Sequence, residues 1–109
     1  MSRGRYGTGK PDANQAEIVD WLRGVPGVYV HLLSVYPAVL DLLVYTAWDG
    51  ELRWVEVKRP GEPLTDREQD IFNRCPRATW RVESIEDAAR MIGLELRDGR
   101  AVLPLPRAN

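Results

Sequence analysis

The sequence predicts an α/β sandwich, a central mixed β-sheet flanked by helices. The order is α-β-β-β-α-β-α with a C-terminal hairpin. Three observations support this. The stretch Leu40–Lys58, LDLLVYTAWDGELRWVEVK, places two apolar runs around Asp49-Gly50. Such a pair tolerates positive φ and marks a tight hairpin turn. Segments with helical apolar spacing begin after Asp12, Thr65 and Ser84, residue types that cap helix N-termini. Strand-like and helical segments then follow one another as helix, three strands, helix, strand, helix and small hairpin.

Size and composition narrow the possibilities. The chain has 109 residues, enough for one domain with a real core. With 44% hydrophobic and 28% charged residues it reads as an ordinary soluble globular chain. The net charge of −1 means that any nucleic-acid contact must come from a local patch. A single cysteine, Cys75, excludes an internal disulfide and a multi-cysteine zinc site. No run approaches the about 18 apolar residues of a membrane span. The N-terminus lacks the apolar core of a signal peptide. A cytoplasmic protein without membrane partners is expected.

Residues 1–11 form a glycine-rich arm bearing Arg3, Arg5 and Lys10. Gly4 to Lys10 matches the start of a phosphate-binding loop. Pro11 follows where Ser or Thr is needed, and no strand precedes, so that motif is rejected. One domain spans 12–103. Asp12 and Gln15 open a first helix as a capping box, with Ile18, Trp21, Leu22 and Val25 as its apolar stripe. Glu17 borders that stripe, and Pro26-Gly27 ends the helix. Val28–Leu33 is a first strand. It contains His31, which is read as structural or surface-exposed rather than a ligand, because no second histidine exists to share a metal. Ser34–Val39 is a loop.

The hairpin carries the chemistry. With a two-residue turn at Asp49-Gly50, Trp48 faces Glu51 and Asp41 faces Lys58. Side chains alternate along a strand, so Asp41, Glu56 and Lys58 share one face. Glu56 then lies diagonally from Asp41, roughly 7–8 Å away. Leu43, Tyr45, Leu52 and Trp54 share that face, while Leu42, Val44, Val55 and Val57 lie opposite. The expectation is a hairpin covered on both sides. Burying three charges at its end requires pairing or a metal. Two readings stand: two carboxylates around a divalent cation, or a salt bridge from Lys58 to either acid.

Arg59–Pro63 breaks the chain. Thr65 and Glu68 form a capping box for a second helix that turns Ile71, Phe72 and Cys75 inward. Gln69 is placed at the edge of the packed face. Thr79–Val82 is a strand, and Ser84 caps a third helix with Ala88, Ala89, Met91 and Ile92 inward. Leu94–Leu96 and Ala101–Leu103 flank Asp98-Gly99, a second hairpin signal. Residues 104–109 form a frayed tail.

An Asp opening one strand, Glu-x-Lys ending the next and Gln on the following helix resemble the PD-(D/E)xK nuclease superfamily. Within it, the chain is similar to the small VRR-NUC and phage or archaeal Holliday-junction-resolvase-like group. The matching stretches are DANQAEIVDWLR (12–23), LDLLV (40–44), VEVKRPGEPLTDREQDIF (55–72) and ESIEDAARMIG (83–93). The resemblance implies a restriction-endonuclease-like fold and a Mg²⁺- or Mn²⁺-dependent endodeoxyribonuclease. It implies that Asp41, Glu56 and the Val57 carbonyl ligate the metal, with Glu17 as an additional ligand. Lys58 would position the attacking water or stabilise the scissile phosphate, and Gln69 would support the site. DNA, in branched or flapped form, is the implied partner. A homodimer fits the two-fold symmetry of a four-way junction, and the C-terminal hairpin offers an edge for one. The family usually has Pro before the metal-binding Asp, whereas this chain has Leu40. That departure keeps open a nuclease-fold DNA-binding or assembly module without catalysis.

Overall fold

The computed structural model describes residues 13–33, 40–98 and 100–102. The basic arm, the Asp12 cap, the Ser34–Val39 loop and the C-terminal tail lie outside the described residues. Helix α1 is Ala13–Arg23. Strands β1 (Val28–Leu32), β2 (Leu42–Thr46) and β3 (Glu51–Val57) follow. Helix α2 (Asp66–Arg74) leads into β4 (Thr79–Val82), and α3 (Ile85–Met91) into a hairpin of β5 (Glu95–Arg97) and β6 (Arg100–Val102). The main sheet runs β1-β2-β3-β4, antiparallel except for the parallel β3–β4 pair. The predicted element order and mixed α/β sheet are therefore present. Among the described residues no helix is long and apolar enough to cross a membrane.

One face of the sheet holds the core. Val28, Val30, Leu42, Val44, Val55, Val57 and Val82 pack with Ile18, Val19 and Leu22 of α1 and with Ala88, Ala89 and Met91 of α3. Val28 and Val30, Leu42 and Val44, and Val55 and Val57 each lie two residues apart, which puts all of them on the helix-covered side. The other face is only partly covered: Tyr29 is 62% exposed, Leu52 57% and Tyr45 38%. The expectation of cover on both sides is thus corrected. α2 has no fully buried residue, and Ile71, Phe72 and Cys75 are half-buried. A nine-residue helix with so few apolar side chains cannot shield a four-stranded sheet.

The hairpin register also differs from expectation. Thr46, rather than Trp48, pairs with Glu51, and Leu42 pairs with Val55. The connection is a four-residue loop, Ala47–Gly50, and not a two-residue turn at Asp49-Gly50. Asp49 supplies the reason. Its carboxylate accepts hydrogen bonds from the Glu51 N–H at 3.0 Å, from the Thr46 hydroxyl and from Arg53 Nη2 at 3.1 Å. Arg53 is buried and also donates to Thr46 Oγ1 at 2.7 Å. The Thr46 hydroxyl foremost, with Arg53 and the Glu51 N–H assisting, holds the Asp49 carboxyl below its usual range. Gly50 takes the positive φ of 69° that the loop requires.

The caps of α2 and α3 are as read from the sequence. Thr65 and Glu68 close a complete capping box at α2, and the Ser84 hydroxyl accepts from the Asp87 N–H at α3. Removing the first of these by Thr65→Ala is expected to cost about 1 kcal/mol, read as a lower urea midpoint with an unchanged slope. Gly93 ends α3 with φ 84°, and Asp98 takes φ 51° in the β5–β6 turn.

Candidate functional site

The two-residue change of register keeps every side chain on its predicted face, because strand periodicity is two. It alters the partners, however. Extending the ladder one step beyond Leu42–Val55 sets Asp41 directly opposite Glu56, not opposite Lys58. Directly opposed residues have Cβ atoms about 4.5–5.5 Å apart. The chain is anchored there by the Leu33 N–H, which donates to the Asp41 carbonyl at 2.7 Å. Asp41 Oδ2 accepts from the Val57 N–H at 2.9 Å, which orients the carboxylate across the end of β3.

Glu56 is 4% exposed and Lys58 7%. Glu56 Oε1 is buried with no hydrogen-bond partner. Burial first, then the neighbouring Asp41 and Glu68 carboxylates, push the Glu56 carboxyl up to about 10. Burial also raises Asp41, although the Val57 N–H and Glu56 pull the other way. A protonated Glu56 can offer its proton to Asp41 or Glu68. Two acidic groups taken out of water side by side cannot both ionise cheaply.

Lys58 is the counter-charge. Its Nζ lies 2.9 Å from Glu68 Oε1, 3.6 Å from Glu56 Oε2 and 3.9 Å from Glu62 Oε2. Burial alone would lower the ammonium, but the Glu68 hydrogen bond and the charges of Glu68, Glu56 and Glu62 outweigh it and raise it. Glu68 responds in kind. Burial would raise its carboxyl, but Lys58 and the Thr65 N–H hold it below its usual range.

The predicted residues divide into two groups. Asp41, Glu56, Val57 and Lys58 meet at one end of β2 and β3. Gln69 does not join them: its side chain is exposed and donates to Asn73 Oδ1 at 3.0 Å. Glu17 is exposed on α1. Its place toward the site is taken by Asn14, whose amide donates to the Lys58 carbonyl at 3.0 Å and the Glu83 carbonyl at 3.4 Å. Asn14 thereby ties the ends of β3 and β4 together. Glu68 and Asn14 were missed as site residues. Glu68 was recognisable as the third residue of α2, but that role explains only its contact with its own helix. Arg59, Arg67 and Arg74 are all exposed, and Arg74 pairs with Asp70 at 3.0 Å.

The donor set suits a hard cation: two carboxyl groups side by side, one with a buried oxygen lacking a donor, and a nearby backbone carbonyl at Val57. Among the described residues no group of three or more acidic, imidazole or thiol side chains converges to hold a metal ion, so any ion here would rest on the two acids, the carbonyl and water. No family model, curated protein or solved structure matches this chain.

Proposed function

We propose that the chain is a Mg²⁺- or Mn²⁺-dependent endonuclease of the PD-(D/E)xK superfamily, hydrolysing phosphodiester bonds in branched or flapped DNA. The observation that carries this reading is the opposed Asp41–Glu56 pair, with Glu56 Oε1 buried and unpartnered and Lys58 alongside. A divalent cation bound by Asp41, Glu56 and the Val57 carbonyl would lower the pKa of water and neutralise phosphate charge. The chain's own residues do the rest. The Val57 N–H fixes the Asp41 carboxylate, leaving its second oxygen for the ion. Lys58 supplies a point charge that a scissile phosphate would meet beside the acids. A homodimer and a cytoplasmic location, where Cys75 stays a thiol, belong to the same proposal.

The test is incubation with plasmid, forked and four-way-junction DNA in Mg²⁺, Mn²⁺ or chelator. Cleavage that depends on the metal is expected. Intact DNA of every form in both metals would overturn the reading. A second reading, a DNA-binding or assembly module that keeps the fold without cutting, draws on the engagement of Lys58 by Glu56, Glu62 and Glu68. It predicts retention of DNA in chelator and no hydrolysis. Light scattering reads the oligomeric state in either case.

A further inference from the structure

We infer that Glu68 is a positioning residue of the proposed reaction, the group that holds the Lys58 ammonium at the Asp41–Glu56 pair. This rests on the nuclease reading for its catalytic meaning, but the contact can be tested without it. Glu68 Oε1 accepts from two donors, the Thr65 N–H at 2.8 Å and Lys58 Nζ at 2.9 Å. The same oxygen therefore closes the α2 capping box and anchors the lysine. Glu68 is far less exposed than Glu62, at 19% against 42% for the side chains, and its contact with Nζ is an ångström shorter. Lys58 has a flexible four-carbon stem, and an ammonium finds its place only if something fixes it. Glu56 cannot do this as well, since its oxygen is 3.6 Å away against 2.9 Å for Glu68. The helix-borne residue in contact with the site is thus Glu68 and not its neighbour Gln69, which faces Asn73. Because Glu68 sits at the start of α2, the placement of that helix sets the placement of the lysine.

Glu68→Gln separates the two roles. Glutamine serves at the third position of a capping box as glutamate does, so α2 keeps its start. The charge facing Lys58 is lost. The chain has only two lysines, Lys10 and Lys58, so Lys10 is an internal reference. Amine acylation followed by peptide mass spectrometry should show Lys58 reacting severalfold faster in Glu68→Gln than in the native protein, with Lys10 unchanged and the far-UV circular dichroism of the folded protein preserved. In Mn²⁺ the variant should lose about tenfold in kcat with KM unaltered, the scale of a lost supporting contact. Unchanged Lys58 acylation overturns the inference, as does faster acylation with native kcat. If the native protein cuts no DNA, the nuclease reading falls by itself, and the acylation ratio still decides whether Glu68 holds the lysine.

Discussion

Asp41→Asn is expected to reduce Mg²⁺- or Mn²⁺-dependent cleavage by at least about 10³-fold while leaving the fold intact. Losses of this order accompany removal of a charge-stabilising group at a reacting centre. The fold survives because the asparagine carbonyl oxygen can still accept the Val57 N–H that Asp41 Oδ2 now accepts. What disappears is the negative charge that a cation would need. The melting temperature without metal should stay the same or rise, since the substitution removes a carboxylate whose charged form burial disfavours. Cleavage of junction and plasmid DNA, with thermal melts of the same preparations, checks both halves. An Asp41→Asn protein that cuts like the native one would remove the acid pair from the reaction.

Glu56→Gln should stabilise the metal-free protein by about 2 kcal/mol at pH 8, because a buried acid no longer has to take up a proton on folding. The sign follows from proton linkage. The folded chain holds a proton on Glu56 up to about pH 10, whereas the unfolded chain releases it near the ordinary 4.5. Between those limits the native state binds more protons, so its stability falls as pH rises. Glu68 acts in the opposite sense at the acid end. Its lowered carboxyl contributes stability above its unfolded value, lost as pH falls through the folded one. Denaturant midpoints at pH 5, 7 and 9 should therefore decline in the native protein across the neutral range, and decline much less in Glu56→Gln. Added Mg²⁺ should raise the native melting temperature and leave Glu56→Gln almost unmoved, because a ligand stabilises only the state that binds it. A native midpoint that climbs steadily from pH 5 to 9 would show Glu56 to be ionised in the fold.

The candidate site was legible to different depths. Asp41, Glu56 and Lys58 could be placed on one face because a strand alternates with period two, and an even slip of register leaves that result untouched. Their separations could not be read. They depend on whether the loop takes two residues or four, which Asp49 decides through bonds to Thr46 and Arg53 on both strands. Gln69 shows the limit for helices. A rotation of 100° separates it from Glu68, and only the packing of α2 on the sheet selects which of them faces Lys58.

By itself the sequence determined the order of elements, the capped starts of α2 and α3, and the common face of the acids and the lysine. All of these follow from local backbone preferences and from periodicity. Tertiary structure decided that Asp41 stands opposite Glu56, that Asn14 and Glu68 reach the site, and that Tyr29, Tyr45 and Leu52 remain exposed. These outcomes join residues distant along the chain, and the free energies that select them arise only when strands pair and helices settle on the sheet.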